Sequence, residues 1–297
     1  VDPLARALCW GAAWDMCRDA ELPAQDYVTL VANGLPSEQD LTAVQSLIRQ
    51  AIGATLNYTA PQLRDGVRAG LISTLASLLK DAEPGSDHQL ALANGLVSAI
   101  DASGVALLKG WLKGEEVPEG LDVDQDMRWR IVSALARLGA ADEEFIAAEK
   151  ARDDTSSGAE QAAGARAAVP TAEAKEAAWK RATDEPAVPN ETYRSIVSHF
   201  GNPDQQEVLR PYAGKYLELC AAIDAGEGQW SAAGHAQIQN ALQWLFPDEV
   251  ADRAWLDELA EWMASRELTS TVRRVLLEQA DSAERALRCQ ARSGEKE

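Results

Sequence analysis

Histidine is scarce in this chain, and so is any pattern of residues suited to hold a metal. His88, His199 and His235 are its only histidines; none is followed by glutamate and no two are spaced to share an ion. Basic residues are short as well: 28 Lys and Arg stand against 47 Asp and Glu, a net charge of −19. Such a surface repels phosphate backbones and anionic lipid, which excludes nucleic acid and membrane surfaces as partners and leaves basic peptides compatible. The four cysteines, Cys9, Cys17, Cys220 and Cys289, form no C-x-x-C pair and no dense framework. They read as free, mostly buried thiols in a reducing, cytoplasmic compartment. No apolar run has the length of a membrane span, no signal-peptide pattern opens the chain, and no glycine-rich phosphate cradle occurs. Alternation of period two is missing throughout, so no strands are expected.

What is present is helical periodicity. The chain of 297 residues is 46% hydrophobic and 25% charged, the balance of a globular protein with ample core. The stretch 171–219 reads as three helices in series. The first carries Ala174, Ala178, Trp179 and Ala182 on one side, with Lys175, Glu176 and Lys180 turned out. Pro186 and Pro189 break the chain, and Asn190 is placed to cap a second helix. That helix sets Tyr193, Ile196, Val197 and Phe200 on one stripe. Gly201-Asn202-Pro203 stops it, and a third stripe follows from Val208 through Tyr212, Tyr216, Leu219 and Ile223, with Pro211 forcing a kink or a fresh start.

The same pattern extends both ways. Residues 3–20 present Ala7, Trp10, Trp14 and Cys17 on one face and Leu4, Leu8 and Ala12 on another. Helices then follow between Pro23, Gly34-Leu35-Pro36, Pro61 and Pro84-Gly85, with Ser37 and Asp40 together resembling a capping arrangement for the third. Residues 113–124 are a charged loop, 153–158 a mobile loop, Asp248 a cap, and the last helix runs from about Thr269 to Arg288. About fifteen helices with short connections define an all-α fold, an irregular α-solenoid of the HEAT or armadillo kind. The expected organisation is one helical repeat domain over 1–297 with a frayed tail over 289–297.

Several of these residues carry a resemblance. Trp179 after KEAA, Asn190, the F-x-x-P-x-Q of Phe200, Pro203 and Gln205, and PYAGKYLEL resemble the C-terminal helical domain of actinobacterial aminopeptidase N. ARALCWGAAWDMCRDAELPAQDY near the start and TVRRVLLEQADSAERALRCQ near the end extend it over nearly the whole chain. The resemblance implies a non-catalytic bowl that closes the chamber of a zinc metallopeptidase and limits peptide access. Its partners would be the catalytic domain of the same polypeptide and the peptide substrate. The family's H-E-x-x-H and G-A-M-E-N motifs are absent, so no catalytic residue, metal ligand or cofactor is expected here, and the zinc belongs to a catalytic domain outside the chain. Val1 in place of methionine fits a segment of a longer protein. The alternative is a free-standing helical-repeat scaffold that binds a protein partner.

The remaining candidates come from the residues alone. Asp122, Asp124 and Asp126 imitate the start of a calcium loop, but Met127 stands where glycine is needed and Ser133 where glutamate is needed; helix capping explains them better. Asp153-Asp154 imitates a diphosphate-binding D-D-x-x-D but ends in Ser157. Most of the nine tryptophans fall on apolar stripes and read as core. Trp129 between Arg128 and Arg130 is the exception, and these three are the substrate-contacting candidates, on an exposed or groove-lining helix start. Leu8, Trp10 and Trp14 are the candidates for docking another domain, because the first helix is apolar on two faces.

Overall fold

The computed structural model describes residues 3–185 and 188–295, and contains sixteen α-helices and no strand among them. The chain divides into two compact units, Val1–Ile131 with Arg285–Glu297, and Val132–Glu284. In chain order the helices are α1 (Pro3–Arg18), α2 (Ala24–Gly34), α3 (Leu41–Gly53), α4 (Pro61–Asp81), α5 (Asp87–Ala99), α6 (Val105–Lys113), α7 (Gln125–Arg137) and α8 (Glu143–Arg152). They continue with α9 (Ser156–Ala168), α10 (Ala172–Thr183), α11 (Asn190–Phe200), α12 (Gln206–Leu209), α13 (Tyr212–Ala225), α14 (His235–Trp244), α15 (Arg253–Ala264) and α16 (Ser270–Gly294).

Local chemistry sets most of the starts. Asp40, Ser86, Asp142, Thr155, Thr171 and Asp252 each accept the backbone N–H three residues on, which satisfies a donor with no partner inside its own helix. Pro211 ends the short α12 and immediately precedes α13, as its missing N–H requires. Other starts correct the sequence reading. Asn190 is the first residue of α11 and makes no side-chain cap; Pro189 precedes it. Asp252, and not Asp248, caps α15. The expected loop at 153–158 is mostly ordered structure: Thr155 caps α9, Ser156 already belongs to it, and Asp153 is buried, accepting from the Thr155 hydroxyl at 2.7 Å. Pro186 lies outside the described residues.

In the first unit α3, α4 and α5 pack together around Leu47, Leu71, Leu75, Leu96 and Val97. Arg68, buried on α4, donates to Ala99 O at 2.8 Å and Ile100 O at 2.7 Å and so closes the C-terminal end of α5. The end of α16 docks here too. Cys289 Sγ donates to Cys17 O at 3.2 Å, and Ser293 Oγ accepts from Ala60 N at 3.0 Å and donates to Gln25 Oε1 at 2.6 Å. Ser293 is fully buried, so residues 289–294 are the anchored end of a helix and not a frayed tail. Lys296 and Glu297, the last of that expected tail, lie outside the described residues.

In the second unit α9 and α11 pack extensively against each other. The reason is composition: α9 buries Gly158, Ala162, Ala163, Gly164, Ala165, Ala167 and Ala168, almost all backbone and methyl. A Cβ on Gly164 would lie 2.4 Å from Ser195 Oγ, a separation only glycine permits. The aromatic residues Trp179, Phe200 and Tyr212 meet beside this pair with centroids 5.0–5.7 Å apart. Lys175 is the main departure from the sequence reading. It is turned in, with no exposed surface, and its ammonium donates to Ala167 O at 2.7 Å and Phe200 O at 2.6 Å. It therefore ties the C-terminal ends of α9 and α11 through carbonyls that have no partner inside their own helices.

Candidate functional site

The start of α7 was the expected substrate-contacting patch, and the structure revises it. Trp129 is 2% exposed and belongs to the core with Met127 and Ile131. Its two arginine neighbours carry no information about its exposure, because consecutive helical residues diverge by about 100° around the axis. Arg128 is half-buried and donates from Nη1 to Leu112 O at 2.9 Å, which closes the end of α6. Arg130 alone is exposed. Asp124 accepts from Met127 N at 2.9 Å, so the aspartate cluster acts as a helix cap.

The expected docking residues on α1 separate into two roles. Leu8 is 67% exposed, and Leu4 (69%) and Met16 (43%) share its face at helical spacing with the exposed Ala12. Trp10 and Trp14 face the other way and hold α1 to its own unit. The Trp10 indole N–H donates to Glu38 Oε2 at 3.1 Å, and its ring fills the space a Cβ on Gly34 would need. Trp14 lies 5.3 Å from the Tyr27 ring and 5.9 Å from that of Tyr58. Glu38 also takes both Arg6 Nε (2.9 Å) and Arg6 Nη2 (3.1 Å), plus the backbone N–H groups of Gln39 and Asp40. Burial opposes its charge, but these donors outweigh burial and hold its carboxyl below the usual range. The result is a firmly seated helix with an exposed apolar outer face that carries Leu8 and Met16.

The histidines take three different places, none of them a metal cluster. His88 stands in the first turn of α5, His235 begins α14 on the surface, and His199 lies half-buried in α11. His199 Nδ1 donates to Ser195 O at 2.8 Å, and burial lowers its pKa below the ordinary imidazole value. Among the described residues no three His, Cys, Asp or Glu side chains are placed to hold a metal ion together. Cys17 and Cys220 are buried thiols pushed up to about 12, first of all by burial.

Helical periodicity does not reveal the role of polar residues at helix ends. Gln205 donates from Nε2 to both Arg137 O and Ala168 O at 2.8 Å, and so joins the C-terminal ends of α7 and α9. With Lys175 on Phe200 O, the F-x-x-P-x-Q run is a set of ties between helix termini. The ERAP1-like C-terminal domain family matches this chain over residues 1–285. The chain belongs to that family. It is also similar to the Aminopeptidase N of Streptomyces lividans, 38% identical over 292 residues. That alignment covers 98% of this chain and 33% of the Streptomyces protein, so the chain spans about a third of its relative's length. Family membership accounts for the conspicuous motif residues as parts of a helical domain, consistent with the packing and capping roles found for Trp179, Phe200 and Gln205.

Proposed function

We propose that this chain is the non-catalytic, C-terminal bowl of an aminopeptidase N-like zinc metallopeptidase of the cytoplasm. The observation that carries the reading is the family match over residues 1–285, supported by the likeness to an aminopeptidase three times as long. In this reading the hydrolytic zinc and its activated water belong to another domain of the same polypeptide. The stacked helices form a solenoid that closes the chamber and limits entry to peptides that fit. Its charge of −19 draws basic peptides toward the opening. The outer face of α1, with Leu8 and Met16 exposed, packs against the catalytic domain.

The test mixes this chain with a separately expressed catalytic part and measures both association and peptide turnover. Association with a change in turnover is expected, and Leu8→Glu weakens it by about tenfold because a carboxylate must then be buried at the contact. Leu8 is exposed, so that variant keeps its fold and melts with the wild type. Absence of association refutes the bowl reading and favours a scaffold with another partner. Association that Leu8→Glu leaves unchanged refutes α1 as the contact.

A further inference from the structure

A second site lies in the first unit, away from α1 and α7. A cavity of about 400 Å³ opens between α4, α5, α6 and the loop that follows α6. Its walls are mainly apolar and include Leu79, Leu96, Leu107 and Trp111. Three charged side chains also line it: Lys80 from the end of α4, and Glu116 and Glu119 from the loop. That volume is within the range of small-molecule sites, and an apolar lining with a few charges of both signs is their usual chemistry.

The cavity is held open by bonds made for the purpose of joining its two loops. Gln89, 2% exposed, accepts from Gly85 N through Oε1 and donates from Nε2 to Glu119 O, both at 2.9 Å. Gly120, at φ +80°, lets the second loop approach so closely that a Cβ there would lie 2.4 Å from Gly85 N. Glu116 adopts φ +54°, a conformation that non-glycine residues take at a cost of about 1 kcal/mol. Trp111, 2% exposed, closes one wall of the cavity, while its indole N–H is itself shut off from solvent and is not a contact for a ligand.

We propose that this cavity binds a free α-amino acid with an apolar side chain. The side chain occupies the Leu79–Leu96–Leu107 wall, the carboxylate accepts from Lys80, and the ammonium faces Glu116 and Glu119. A zwitterion with an apolar side chain is the simple ligand that uses both signs of charge and the apolar wall together. A hydrocarbon leaves the three charges unanswered, and a simple anion or cation meets only one sign. Apolar amino acids are released by aminopeptidases, so under the reading above the cavity would sense product. The binding itself does not depend on that reading and is measured on this chain alone.

The experiment is equilibrium dialysis of the chain against radiolabelled L-leucine. One saturable site per chain is expected. Ala76→Trp, a change at an exposed position of the cavity lining, should abolish it. Lys80→Met, or Glu116→Gln with Glu119→Gln, should each weaken it about tenfold, the value of a lost charged hydrogen bond. Isopentylamine and 4-methylpentanoate, each lacking one charge, should compete about tenfold less well than leucine. All these residues sit at the surface end of the cavity, and a melting curve for each variant establishes that it folds. The proposal is overturned by absence of saturable binding at millimolar leucine. It is equally overturned by binding that survives Ala76→Trp and the charge changes, or by half-analogues that compete as well as leucine.

Discussion

Lys175 concentrates the residue-scale physics of this protein. An amine with no exposed surface is pushed down to about 7 by burial, with Glu249 working in the opposite direction. Its ordinary value is 10.5, so between about pH 7 and 10.5 the unfolded chain holds a proton that the folded one does not. Stability from this group therefore rises with pH through that window, and below it the folded chain bears the cost of a buried cation. Lys175→Met leaves Ala167 O and Phe200 O without their donor, a loss of about 2–4 kcal/mol at pH 9. The gap between wild type and variant should narrow by about 2 kcal/mol at pH 6. Denaturant titrations at the two values check this, and a gap that widens toward acid pH contradicts it. Thiol chemistry offers a second residue-scale prediction. Cys9 is exposed, while Cys17, Cys220 and Cys289 are buried with their pKa values raised. An aromatic disulfide reagent at pH 8 should label one thiol rapidly, and none in Cys9→Ser; rapid release of two or more equivalents counts against the burial described.

At the scale of elements, helix ends matter as much as helix faces. Arg68, Arg128, Lys175 and Gln205 each donate to carbonyls at the end of another helix. Periodicity reads faces well: the stripe of Tyr193, Ile196, Val197 and Phe200 is buried as spaced. It is silent on a long polar side chain that crosses to a neighbouring terminus, which is why Lys175 reads as outward. The end of α16 is the clearest case. Ser293-Gly294 before a charged tail has the composition of a loose end, yet Ser293 is fully buried against Gln25 and Ala60. Truncation after Arg288 should therefore lower the thermal midpoint by about 5 °C or more, since it removes buried bonds together with the Cys289 contact. A midpoint within one degree of the full chain's would mean that this helix end is not anchored.

At the scale of the whole molecule, two compact units share one chain, and each boundary falls inside a helix, α7 or α16. No loop or composition shift marks either boundary, so a reading based on linkers draws a single domain. Metal dependence is the prediction that belongs here. With no ligand cluster among the described residues, exhaustive dialysis against a chelator should leave helicity and melting unchanged, and elemental analysis should find no stoichiometric zinc. A chelator-dependent loss of structure would reveal a site.

The amino-acid sequence by itself determined the all-α class, most helix positions and the family, because caps, prolines and apolar spacing act over a few residues and leave their marks in order along the chain. It also excluded an H-E-x-x-H site, since that motif is local. Tertiary structure alone decided that Lys175 is buried and that Trp129 is core. It alone separated Leu8, on the bare face of α1, from Trp10 and Trp14 on the seated one. It likewise brought Lys80, Trp111 and Glu119 to one cavity. The reason is physical: burial of a given side chain and the meeting of distant charges depend on which neighbour covers each helix face. That choice is made by packing between segments far apart in the chain, and short-range pattern does not encode it.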